Sequence, residues 1–96
     1  MSYLPKTQGW KSFIKLVAAA QSPEQLDDLM QALFTYEERD QMALRIELLA
    51  ELLRKQKPQR QIARELGVSI ATITRGSNLL KSIKTKLRFF LEKELI

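Results

Sequence analysis

Apolar residues in this chain return at intervals of three and four, and no stretch alternates with period two, so the pattern predicts an all-α fold. Trp10, Phe13, Ile14 and Val17 share one face of a helix from Trp10 to about Gln21. Leu26, Leu29, Met30 and Leu33 form a second stripe. Its start is marked by Ser22 as cap, Pro23 at the first helical position and Gln25 placed to close a capping box. Thr35 and Glu38 repeat the device ahead of a third helix, roughly residues 36–55. That helix is the longest and is apolar most of the way round. Met42, Ala43, Ile46, Leu49, Ala50 and Leu53 lie on one side, and Leu44, Leu48 and Leu52 lie toward another. Each of these leucines stabilises by ~1.5–3 kcal/mol if buried. A chain of 96 residues has little interior to hold them all, so the pattern predicts an obligate dimer with helices wrapped round one another.

Residues 59–81 read as two short helices meeting at a tight turn. Ile62, Ala63 and Leu66 make the apolar face of the first, and Gly67 ends it in the left-handed conformation that glycine adopts without steric cost. Ser69 caps the second helix, and Ile73 turns back toward the first. Small Ala63 lets the pair cross closely. This is a helix-turn-helix, which presents its second helix to a DNA major groove. An αα-corner inside a helical domain uses the same glycine and the same spacing. A last helix begins at Ser82 or Thr85, with Ile83, Leu87, Phe90, Leu91 and Leu95 as its apolar set.

Charge separates these alternatives. The net charge is +5, and its distribution is uneven: residues 1–53 carry five basic and eight acidic groups, residues 54–96 eleven basic and three acidic. A cationic half that coincides with a presented helix is the footprint of nucleic-acid binding. The chain has no cysteine and no histidine. Disulfides, thiol chemistry, the usual zinc sites and an imidazole base are thereby excluded, and no metal is expected. Residues 1–9, with Pro5 and Gly9, suggest a flexible arm, leaving residues 10–96 as a single helical domain. The apolar run Leu16–Ala20 is too short for the core of a signal peptide, and no stretch is long enough to span a bilayer. A cytoplasmic protein without a membrane partner is the expectation.

The run Ile70-Ala71-Thr72-Ile73-Thr74-Arg75-Gly76-Ser77-Asn78 resembles the bacterial tryptophan repressor family. It is narrower than a generic helix-turn-helix, because Gly76 stands one turn beyond Ile73 where most such motifs place an apolar residue. Similarity extends to Gly9-Trp10, to Leu33-Phe34-Thr35-Tyr36-Glu37-Glu38-Arg39, to Arg45 and to Glu51-Leu52-Leu53-Arg54, and it runs without a gap from about residue 32 to residue 91. The resemblance implies a six-helix intertwined homodimer that binds L-tryptophan as corepressor and then operator DNA, repressing transcription. It implies that Arg75 pairs with the corepressor carboxylate and Arg45 stacks on the indole, tasks that suit a planar guanidinium. Carbonyls near Ala32 and Phe34 face the ammonium group, while Thr35, Thr72 and Gly76 line the site, Gly76 leaving room for ligand and phosphate. On DNA, Ile70, Ala71 and Thr74 meet base edges, Arg60 reaches guanine, Ser77 and Lys81 meet the phosphate backbone, and Asn78 joins the DNA-binding set.

Two positions depart from the family pattern. Ala63 stands where well-known members carry a base-reading lysine, with Arg64 beside it, and Leu79 replaces a serine that meets the ligand's ammonium group. Two other readings use the same residues. One is a constitutive helix-turn-helix protein that has lost or changed its corepressor. The other, a small enzyme acting on an amino acid, lacks His, Cys and paired carboxylates beside the pocket.

Overall fold

A computed structural model describes residues 3–96 of the chain, with side chains from Gln8 onward. Six α-helices follow in order: α1 (Tyr3–Ala19), α2 (Pro23–Leu33), α3 (Tyr36–Arg54), α4 (Gln59–Leu66), α5 (Ile70–Ser82) and α6 (Thr85–Leu95). No strand occurs among the described residues. The all-α expectation holds. The chain divides into two compact units, Met1–Arg39 and Asp40–Ile96.

In Met1–Arg39, α1 is helical from Tyr3, so the arm expected over residues 1–9 is a helix over its described part, and residues 1–2 lie outside the described residues. Pro5 falls in the first turn, where backbone N–H groups have no intrahelical acceptor, so its missing donor costs no bond. Gly9 in the interior costs about 1 kcal/mol relative to alanine, too little to stop a helix of 17 residues. At the start of α2, Ser22 Oγ accepts from the Gln25 N–H at 3.0 Å. Gln25 Oε1 accepts from the Gln21 N–H at 2.8 Å, one residue earlier than a reciprocal capping box requires. The α3 box closes fully: Thr35 Oγ1 accepts from the Glu38 N–H at 3.1 Å and Glu38 Oε1 from the Thr35 N–H at 2.9 Å. The Phe13 ring packs against Trp10 at 5.3 Å and meets Phe34 edge-on at 5.8 Å. None of this unit's described side chains is buried.

Asp40–Ile96 has a core. Leu48, Leu49 and Leu53 of α3 pack with Ile62 and Ala63 of α4 and Ile73 and Leu80 of α5. Met42 and Ile46, expected on the buried stripe of α3, are exposed, so burial is confined to the helix's C-terminal half. The α4–α5 corner forms as its residues dictate. Gly67 takes φ 68°, with its N–H donating to the Arg64 carbonyl at 3.3 Å and the Val68 N–H to the Ala63 carbonyl at 3.0 Å. These paired bonds are a Schellman ending, which satisfies carbonyls that the helix leaves open. Ser69 Oγ then accepts from the Thr72 N–H at 3.2 Å to start α5. Ile62 and Ile73 meet beneath this corner at 1% and 0% exposure, and Ala63 is 6% exposed.

Ile83, expected within the last helix, is instead the C-cap of α5, and α6 begins at Thr85. Arg88 of α6 reaches back, donating from Nη1 to the Leu80 carbonyl at 3.0 Å. Between α3 and α4, Lys55 adopts φ 57°, a left-handed conformation uncommon in residues other than glycine. Lys57 Nζ then bridges Glu51 Oε2 at 2.9 Å and Glu65 Oε1 at 2.7 Å. The hydrogen bond from Lys57 is the main reason that Glu51 and Glu65 both sit below the usual carboxylate range, and the two carboxylates in turn raise Lys57.

Candidate ligand pocket and nucleic-acid face

Within Asp40–Ile96, a pocket of about 440 Å³ opens between α3 and α5. Both elements present residues at helical spacing. Gln41, Leu44, Arg45 and Leu48 follow one face of α3, and Thr72, Arg75, Gly76 and Leu79 follow one face of α5. The pocket therefore combines two guanidinium groups with a wall of leucines. Arg45, Thr72, Arg75, Gly76 and Leu79, all singled out from the sequence, come together here. Arg75 is oriented by its own helix: Nη2 donates to Thr72 Oγ1 at 3.2 Å, and Thr72 Oγ1 lies 3.0 Å from Ser69 Oγ. The cap that starts α5 thus also steadies the pocket arginine. Leu79 is 45% exposed on the pocket wall and brings no polar atom to it.

Gly76 serves the packing of α5 on α3. A Cβ added there would stand 2.5 Å from Leu48 Cδ2 and 3.3 Å from Leu52 Cδ1. The space left by its missing side chain is thus taken up by Leu48 on the α3 side, and Gly76 also lines the pocket.

Ala32, Phe34 and Thr35 belong to Met1–Arg39. Ala32 is exposed on the last turn of α2, Phe34 is its C-cap, with its N–H donating to the Met30 carbonyl at 2.9 Å, and Thr35 is engaged in the capping box. Sequence reasoning missed Gln41 and Leu44. Their signal was available, since they lie four and one residues before Arg45, but it carries meaning only once the pocket is known.

The helix-turn-helix turns a second set of side chains to solvent. Arg60 of α4 and Ile70, Ala71, Thr74, Asn78 and Lys81 of α5 are exposed, and Ser77 is half-buried. Ile73 goes inward while Ile70 and Ala71 do not, so the core and the presented surface divide α5 between them. The Thr74 hydroxyl donates to the Ile70 carbonyl at 3.1 Å, which leaves its lone pairs to accept from an outside donor. Ala63 is buried, whereas Arg64 beside it is exposed. No described helix is long and apolar enough to cross a membrane, and no cluster of three or more metal-ligating side chains occurs among the described residues.

The family model for the Trp repressor protein matches residues 8–95. A Trp operon repressor homolog of Vibrio parahaemolyticus is 41% identical over 97 residues, covering 97% of this chain and 94% of its own. One from Chlamydia caviae is 44% identical over 84 residues (88% and 83%), and one from Pasteurella multocida 35% over 86 (90% and 84%). With its six helices, its helix-turn-helix and a match that spans almost its whole length, the chain belongs to the Trp repressor family.

Proposed function

We propose that this protein is an L-tryptophan-responsive transcriptional repressor that binds operator DNA as a cytoplasmic homodimer. The observation that carries the reading is the double use of α5. One face of this helix lines the pocket through Thr72, Arg75 and Gly76, and another presents Ile70, Ala71 and Thr74 to solvent. A ligand seated between α3 and α5 therefore touches the helix that reads DNA. Arg75 takes the carboxylate of tryptophan and Arg45 stacks on the indole, against Leu44 and Leu48. Ile70 and Ala71 meet thymine methyls, Thr74 and Arg60 read base edges, and Ser77, Asn78 and Lys81 hold phosphates. Tryptophan acts by binding the DNA-competent arrangement of α5 better than any other.

A second reading, a helix-turn-helix protein freed from tryptophan or answering to another ligand, is favoured by Leu79, which offers the pocket wall no acceptor. One experiment separates the two. Duplexes are selected from a random library with L-tryptophan present, and their affinity is then measured with and without it. The repressor reading expects binding to weaken by roughly 5–150-fold when tryptophan is removed. Equal affinity in both conditions contradicts it.

A further inference from the structure

A second cavity of Asp40–Ile96, of about 460 Å³, is walled by the α3–α4 turn, the C-terminal half of α5 and Arg88 of α6. Lys55, Lys57, Lys81 and Arg88 line it with Ser77, and Glu51 is the one acid among its lining residues. These charges are not equivalent. Lys57 is held between Glu51 and Glu65 at 2.9 and 2.7 Å, so Glu51 offers the cavity a compensated charge. Arg54 adds a second contact to Glu51 at 3.4 Å. Arg88 commits Nη1 to the Leu80 carbonyl and keeps its remaining donors. The side chains of Lys55 and Lys81 are exposed and make no hydrogen bond or ion pair among the described residues. The cavity is thus lined by free positive charge and by a neutralised carboxylate.

We infer that this cavity seats a phosphate of the DNA backbone, with Lys55 and Arg88 joining Ser77 and Lys81, and with Lys57 acting as a positioning residue that cancels Glu51. The inference rests on the DNA-binding reading above and extends it beyond α5, to the α3–α4 turn and α6. A backbone phosphate is favoured over a free anion by continuity. Ser77 and Lys81 follow Thr74 on α5 by three and seven residues, so a strand lying along the presented surface of that helix reaches two residues that line the cavity. An uncompensated carboxylate there would repel it, which gives Lys57 its task.

The test is the salt dependence of duplex binding, measured on a random-sequence duplex and on a selected one. Lys55→Gly removes the charge while suiting the backbone, since glycine adopts φ 57° freely. It is expected to lower the slope of log affinity against log salt by about 0.9, as for one lost phosphate contact, on both duplexes alike. Lys57→Gln is expected to weaken both duplexes, and adding Glu51→Gln to restore them. Melting curves identify any variant that has lost its fold, in which case Lys55→Gly decides. An unchanged slope for Lys55→Gly, with Lys81→Ala lowering it, overturns the inference and leaves the DNA face standing. If the wild type binds neither duplex, the DNA reading falls and takes the inference with it. Inorganic phosphate is titrated in parallel by NMR. Signals that move at Lys55 and Lys81 while the variants leave duplex binding unaltered would make this a free-anion site and overturn the inference.

Discussion

Ile73 of Asp40–Ile96 is fully covered, whereas Ile14 of Met1–Arg39 is 49% exposed, although each occupies the apolar stripe of its own helix. The contrast extends across both units. One buries leucines and isoleucines from three helices around its helix-turn-helix, and the other leaves every described side chain at least partly open. A stripe that is correctly patterned and still uncovered calls for a second apolar surface, and under the proposed function a second copy of the chain supplies it. The unit that carries pocket and reading face thus buries its apolar stripes within one chain. Under the proposed function the other buries its own through association.

Alanine at these two isoleucines is the strongest way to break the comparison. Ile73→Ala is expected to cost ~2–5 kcal/mol in denaturant unfolding, as for a fully buried aliphatic chain. Ile14→Ala costs below about 1 kcal/mol if its surroundings stay as open as they are in one chain, and ~2 kcal/mol or more if a partner covers it. In the second case the melting temperature also rises with protein concentration. A folded monomer at micromolar concentration in light scattering contradicts the dimer.

Gly76→Ala comes next. Its Cβ meets the end of the Leu48 side chain, so overpacking of ~1–3 kcal/mol is set against a helix-propensity gain of up to about 1 kcal/mol, for a net effect between none and a loss of ~3 kcal/mol. Pairing it with Leu48→Val is expected to cost less than the sum of the single changes, because one removes the obstruction that the other creates. Strict additivity in thermal unfolding contradicts the close contact.

What the sequence made legible divides along the same physical line. Thr35 with Glu38, Gly67 and Ser69 act through bonds to neighbours three to five residues away, so their caps follow from spacing alone. Arg45 and Arg75 were found through resemblance, and helical periodicity by itself would have left both on solvated faces. Pro5 and Gly9 suggest a flexible arm in the sequence, yet their places in the first turn and the interior of α1 make them tolerable. The Lys57 bridge was not legible at all. It joins residues six before and eight after it, a spacing no regular element repeats, across a turn between α3 and α4 in which Lys55 is left-handed.

The caps give the next effect in size. Thr35→Ala removes one bond of a complete box and is expected to cost about 1 kcal/mol in thermal or denaturant unfolding. No change would mean that the box does not hold the start of α3.

The smallest effect is the pH dependence of the Lys57 bridge. Glu51 and Glu65 are lowered in the folded chain, so their contribution is present above the unfolded carboxylate value of 4.5 and fades as pH falls through their folded values. Lys57 is raised, so its contribution is present below 10.5 and is lost as pH climbs through its folded value. The difference in melting temperature between wild type and Lys57→Met is therefore expected to shrink below pH 4.5 and with added salt. A difference constant from pH 7 to pH 3 excludes the bridge as its source.

The central claim, that the pocket between α3 and α5 holds tryptophan through Arg75, is tested most directly by calorimetric titration of L-tryptophan into wild type, Arg75→Ala and Lys81→Ala. The account predicts one saturable site per chain. It predicts a loss of roughly 10- to 150-fold in affinity for Arg75→Ala, as for removal of a hydrogen bond to a charged group, and no change for Lys81→Ala. The absence of saturable binding to the wild type, or an Arg75→Ala protein that binds as the wild type does, would contradict it.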